Sequence, residues 1–225
     1  MSKADPDYKV IAEVFTAWWR DLQSLSKAGN PILIAGSRKS PDRKALAELR
    51  RIGVAQDDGQ DAVDVTGALG VEAFRDLVER LRTSSLAPHS KVRPWLRADG
   101  LCLEPFAIAA ASIARIRDDS GGKSDWCGAT ARMLGDGFPV SQVFAEPRFK
   151  RLIRSRNDWP DLMAQARRIA AILERKAPIG DLAASLVLWN HLPGVRRDWA
   201  FQYYQKSFEA PDPASAIDQP TPITA

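Results

Sequence analysis

Phe106-Ala-Ile-Ala-Ala-Ala-Ser-Ile-Ala-Arg-Ile116 is apolar on nearly every side. A run of this kind has the length of a core helix, well short of a membrane span, and reads as a helix buried in the middle of a helical fold. The segments around it carry the same period. Upstream, Val10, Val14, Trp18, Leu22 and Leu25 recur every three or four residues, as on one face of an amphipathic helix. Ala45, Leu46, Leu49 and Ile52 make a shorter stripe behind Ser40-Pro41-Asp42, a capping residue with proline in the first turn. Val71, Phe74, Leu77, Val78 and Leu81 make a third. Downstream, helices are expected over 126–134, 143–153, 159–173, 178–189 and 195–208. Pro31-Ile-Leu-Ile-Ala35 is the one strand-like piece, with no partner run nearby.

These signals predict an all-α chain of two small helical bundles. Asp118-Asp-Ser-Gly-Gly-Lys-Ser124 offers no apolar face to pack and reads as the linker between them. The N-terminal lobe then covers 8–118 and the C-terminal lobe 123–208. The Pro- and Asp-containing tail over 209–225 is expected to be disordered. An apolar fraction of 45% suffices for a core in a chain of 225 residues. With no membrane-length apolar run, no signal-peptide core and two cysteines outside any CxxC pattern, a cytoplasmic protein is expected, with no membrane partner.

Catalytic constellations are missing from the sequence. His89 and His191 lie in separate loops without acidic or cysteine neighbours at ligand spacing, and read as surface loop residues. There is no GxSxG, HExxH or GxxxxGK[ST]. The acidic run Asp57-Asp-Gly-Gln-Asp-Ala-Val-Asp64 places its glycine third, where a calcium loop needs it sixth, and reads as a solvated loop between helices. Gly67-Ala-Leu-Gly70 has no strand before it to make a nucleotide fold. No enzyme, cofactor, metal or small-molecule substrate is expected.

Charge is the informative property. The total of +4 is modest, but residues 121–208 carry 14 basic against 8 acidic side chains, so the surplus belongs to the C-terminal half. In Arg148-Phe-Lys-Arg-Leu-Ile-Arg154, helical spacing puts Phe149, Leu152 and Ile153 on the core face and Arg148, Lys150, Arg151 and Arg154 elsewhere; Arg156 follows. In the next helix Leu162, Met163, Ala166, Ile169, Ala170 and Leu173 turn inward, leaving Arg167 and Arg168 outside. Arginine suits phosphate, because its planar fork holds two oxygens and stays charged. Two readings stay open: a band for a polyanion, either nucleic acid or an acidic protein surface, and a solvated face of ion pairs. A weaker basic cluster comprises Arg38, Lys39, Arg43, Lys44, Arg50 and Arg51. Most of the tryptophans sit at core spacing, and Trp95 in its proline loop is the exception.

Several stretches together carry a resemblance. Trp18-Trp19-Arg20-Asp21-Leu22-Gln23 precedes the basic Asp42-Arg-Lys-Ala-Leu-Ala-Glu-Leu-Arg-Arg51. Later come Arg148-Phe-Lys-Arg-Leu-Ile-Arg154, Ala177-Pro-Ile-Gly-Asp-Leu182, Leu188-Trp189-Asn190 and Arg196-Arg-Asp-Trp-Ala-Phe-Gln-Tyr-Tyr204. In this order, from about Phe15 to Tyr204, they resemble the CasB family, the small helical subunit of the type I-E CRISPR surveillance complex, Cascade. The chain departs from the family's pattern over 28–37, over 84–100 and in its acidic tail. The resemblance implies a non-catalytic subunit that pairs with a second copy of itself and contacts other Cascade subunits around the guide RNA. It also implies that a positive groove holds the displaced single-stranded DNA and stabilises the R-loop. By this resemblance Arg50 and Arg51 match the basic end of the family's N-terminal helix, and Arg148, Lys150, Arg151 and Arg154 its C-terminal basic helix. Arg156, Arg167 and Arg168 are added by helical geometry alone. A helical transcription regulator or a protein adaptor is the alternative; a helix-turn-helix over 135–153 would have to absorb Pro139 and Pro147.

Overall fold

The computed structural model describes residues 5–26, 29–34, 37–38, 40–57, 60–86, 88, 90–96, 102–121, 127–137, 140–155, 157–173 and 176–205. The fold is all-α, with short two-stranded ladders between helices. In chain order it runs α1 (Pro6–Leu22), β1 (Leu33–Ile34), β2 (Ser37–Arg38), α2 (Arg43–Arg51), β3 (Val54–Asp57), β4 (Gln60–Val63), α3 (Val65–Gly70) and α4 (Glu72–Thr83). A 3-10 turn (Arg93–Leu96) leads to α5 (Glu104–Ile113), β5 (Asp118–Asp119), α6 (Ala129–Leu134), α7 (Glu146–Arg154), α8 (Trp159–Ile172), β6 (Lys176–Ala177), α9 (Ile179–Leu188) and α10 (Pro193–Tyr203). Among the described residues no helix is long and apolar enough to cross a membrane.

Starts follow side-chain chemistry. The carboxylates of Asp42, Asp64 and Asp158 accept from the amides of Ala45, Gly67 and Asp161, satisfying donors that the first helical turn leaves free. The cap of α2 is thus Asp42, with the proline of the expected start one residue outside the helix.

The all-round apolar stretch does become the buried centre: from Phe106 to Ile113 every residue of α5 is buried. It packs against α8 and α9, while α1 lies along α9. Gly180 lies where that last pair is in tight contact. A Cβ on Gly180 would come within 2.8 Å of Thr16 Oγ1 and 3.0 Å of the Ala12 carbonyl oxygen. Ile11, Phe15, Trp18 and Trp19 of α1 are all buried. Each buried indole also finds a polar partner: Trp18 Nε1 donates to Ala73 O at 2.9 Å, Trp189 Nε1 to Ser155 O at 3.2 Å and Trp199 Nε1 to Ser185 Oγ at 2.8 Å.

Three local readings need correction. Within the acidic run over 57–64, Gln60–Val63 form one strand of an antiparallel hairpin and Asp57 ends the other, with Val54 paired to Val63 and Asp57 to Gln60. Val63 is buried and anchors it. The strand-like piece after Pro31 does find a partner, since Leu33 and Ile34 pair with Arg38 and Ser37. His191 is half-buried, with its ring 3.9 Å from that of Trp95 and 6.0 Å from that of Trp159, and burial lowers its pKa. His89, Trp126 and the tail over 209–225 lie outside the described residues.

One cluster of buried side chains draws on both sides of the expected 118–123 division. The chain just past α5 is held as well. Asp118 and Asp119 pair in parallel with Lys176 and Ala177, and the Asp119 carboxylate accepts from Arg20 at 3.0 Å. Cys102 and Cys127 are free thiols.

Candidate nucleic-acid interface

The basic face of α7 exists because its other face is anchored. Phe149 and Leu152 are buried. The Phe149 ring stacks on Tyr203 at 3.7 Å, nearly parallel, and meets Tyr204 edge-on at 5.9 Å. The Tyr203 hydroxyl donates to the Phe144 carbonyl, which ties the segment before α7 to α10. With the apolar stripe fixed, Arg148, Lys150, Arg151 and Arg154 are all exposed, as the spacing predicts.

Their partners differ. Lys150 Nζ bonds Glu146 Oε1 at 2.8 Å, one turn back, and this lowers the pKa of the carboxyl and raises that of the amine. Arg151 reaches across to Asp161 Oδ1 at 3.1 Å while its side chain stays 68% exposed, so most of its fork remains open to solvent. Such a surface pair is worth at most about 1 kcal/mol and yields readily to a stronger anion. Arg148 and Arg154 have no ion-pair partner among the described residues.

Asp161 also accepts from Gln165 Nε2 at 3.3 Å, and Gln165 Oε1 faces Arg168 Nη1 at 3.5 Å. Residues 161, 165 and 168 share one face of α8. A line of polar contacts therefore runs from Arg151 on one helix to Arg168 on the next, making one band of the two arginines.

Two of the expected site residues are half-buried and tied to backbone carbonyls of other helices. Arg167 donates to the Ile52 carbonyl at the end of α2, and Arg50 Nε donates to the Ala114 carbonyl at the end of α5 at 2.8 Å. Their forks hold helix C-termini, where the backbone carries negative charge. Arg51, the next residue on α2, is exposed. Arg156 lies outside the described residues. Two residues beside Arg50 and Arg167 were missed by the sequence reading. Arg115 Nη2 donates to the Arg50 carbonyl at 3.3 Å, and Arg117 is exposed two residues on. Arg115 was hidden in the apolar stretch that decides the fold, and Arg117 follows directly after it. Their signal was positional: cations just after a buried helix, where its last carbonyls need donors.

Among the described residues no group of three or more His, Cys, Asp or Glu side chains is placed to hold a metal ion. The surface is suited to binding anions, through arginine forks along α7, α8 and the end of α2.

No curated protein and no solved structure matches the chain. A family model described as CRISPR-associated protein Cse2 matches residues 45–204, from the first turn of α2 to the residue after α10. That span is well over half of the chain and takes in every element that builds the basic band. With ten α-helices among the described residues and a family match across nine of them, the chain belongs to the Cse2 (CasB) family of type I-E Cascade.

Proposed function

We propose that this chain is the non-catalytic subunit that steadies the R-loop of a type I-E complex, holding the displaced DNA strand on the band formed by Arg148, Arg151, Arg154 and Arg168. The observation that carries this reading is the state of those forks. Arg148 and Arg154 have no ion-pair partner among the described residues, and Arg151 and Arg168 keep exposed faces although joined through Asp161 and Gln165. A row of guanidinium groups grips phosphates without reading bases, as a subunit must when pairing with the guide RNA supplies the sequence. Arg51 would extend the track toward α2, and Lys150 adds charge along it. A second copy lying beside the first would lengthen it further, within a cytoplasmic assembly of the other Cascade subunits around the guide RNA.

The test is R-loop formation on a matched target by guide-loaded complex lacking its small subunit, supplemented with this protein. The wild-type chain is expected to stabilise the loop. A variant with Arg151, Arg154 and Arg168 all changed to Gln joins the complex but supports the loop poorly on every target sequence. Its dependence on salt flattens by about 0.7 in logarithmic slope for each phosphate that the variant no longer neutralises. Loss confined to one sequence, or full activity of the variant, would refute the strand-holding role.

A further inference from the structure

Arg50, Arg115 and Arg167 come from three different helices or their ends and are tied together through backbone carbonyls, and Arg117 lies near enough to Arg50 to repel it. Arg50 bonds the Ala114 carbonyl at the end of α5, Arg115 bonds the Arg50 carbonyl, and Arg167 bonds the Ile52 carbonyl just past α2. None of the four has a carboxylate partner among the described residues. The Nε atoms of Arg115 and Arg167 are buried and bond to nothing among the described residues.

Capping of helix ends does not account for so much charge. Each helix C-terminus contributes roughly half a negative charge, so two ends supply about −1 against four guanidinium groups. The cations feel one another. Burial holds Arg50 below the usual arginine range, and Arg115 and Arg117 push it further; burial and then Arg115 do the same to Arg167. Arginine does not shed its proton to escape such crowding, so the excess is left for an anion to neutralise.

We propose that this junction is a discrete phosphodiester site, which grips one backbone phosphate of the strand as it leaves the exposed band of α7 and α8. The inference rests on the strand-holding reading and adds to it a fixed point built by Arg115 and Arg117, neither of which lies on that band. The carbonyls pre-position the forks, so their side-chain entropy is spent in folding instead of in binding. The exposed arginines of α7 have no such tether and form a looser track.

Arg117 gives the cleanest test, because it is exposed and makes no bond within the described chain that a substitution could break. A fluorescein-labelled oligodeoxythymidine is titrated with the full-length chain by fluorescence anisotropy across a range of KCl. Arg117→Gln and Arg115→Gln are each compared with wild type and with the triple variant of the band. Arg117→Gln is expected to retain the wild-type melting temperature, bind about fivefold more weakly at about 0.1 M salt and lose about 0.7 from the salt slope, the signature of one phosphate. If both single variants match wild type while the triple variant fails, the junction is only a helix cap and the proposal falls, with the strand-holding role intact. If all three variants bind as wild type does, both readings fall. Weaker binding with an unchanged salt slope would also overturn the site, since Arg117 would then not be neutralising a phosphate. Millimolar inorganic phosphate that raises the melting temperature of wild type but not of Arg117→Gln, with strand binding equal in both, would overturn it in favour of a free-anion site. Equal strand binding with impaired capture of Cascade subunits would overturn it in favour of an acidic protein surface.

Discussion

Asp181 sits in the first turn of α9 with both carboxylate oxygens occupied. One accepts from the Gly128 amide at 2.7 Å and from the Tyr8 hydroxyl, and the other from the Thr130 amide at 2.7 Å. Tyr8 also contacts Ser185 Oγ at 3.1 Å, which in turn accepts from Trp199, so one buried network joins α1, α6, α9 and α10. Its charge has a consequence at alkaline pH. Burial, and then the neighbouring Asp181, push the Tyr8 phenol well above its usual 10.0, and the same two causes push the Cys127 thiol from 9.0 up to about 12. A raised pKa means that the unfolded chain gives up the proton first. The thiol's contribution is complete below pH 9 and falls as the pH climbs from there toward about 12, and the phenol's begins to fall only above pH 10, each at about 1.4 kcal/mol per pH unit. Urea midpoints measured from about pH 8 to about pH 11 should fall accordingly, and Cys127→Ala should fall less steeply above pH 9 than wild type. Equal slopes would mean that the thiol does not stay protonated in the fold. The sequence marks Ala177–Leu182 as distinctive, but it cannot reveal this network, because Tyr8 and Asp181 are separated by 173 positions.

Among the elements, long helices with a clear apolar stripe were legible, and α1, α2, α4, α5, α8 and α9 each appear where the spacing puts them. Short elements were not. The hairpin of β3 and β4 has few apolar residues, so its charges pointed to a loop, although the Asp58-Gly59 pair was a usable turn signal. The six-residue α3 holds two glycines and carries almost no periodic signal. Nor could Gly135 be read as more than a break. It closes α6 where that helix presses on α10. A Cβ there would stand 2.9 Å from the carbonyl carbon and Cα of Tyr203, and nearer still to its oxygen. No side-chain rotation relieves a clash with backbone, so the two helices would have to part. Gly135→Ala is expected to cost about 2 kcal/mol or more. Gly70→Ala, at the end of α3 with nothing within 4 Å of the new methyl, should stay within about 0.5 kcal/mol of wild type. Denaturant midpoints of the two variants decide it, and equal losses would mean that α6 and α10 are not held this closely.

Over the whole molecule, the exposure of Arg148, Arg151 and Arg154 was legible, because helical period alone separates them from the buried Phe149 and Leu152. The period said nothing of which arginines are tied down, since Arg50 and Arg167 are held by carbonyls from other parts of the chain, Ala114 and Ile52. The same long-range packing bears on how the chain unfolds. Two lobes divided after Asp118 would melt in two steps, each with its own core. Here Ile11, Phe15, Trp18 and Trp19 of α1 are buried at 1% exposure or less, and the helix they belong to lies along α9. The centre of α5 likewise packs on α8 and α9. Removing everything after residue 121 would bare those faces, at roughly 1.5–3 kcal/mol for each large side chain exposed, against a total stability of about 5–15 kcal/mol for a domain. The 1–121 fragment is therefore expected to lack cooperative unfolding. The intact chain should lose helical circular dichroism and tryptophan fluorescence at one denaturant midpoint, as a two-state unit does. A fragment with a sharp transition of its own, or separate midpoints for the two probes, would establish the division into lobes and confine the contact between α1 and α9 to a docking surface.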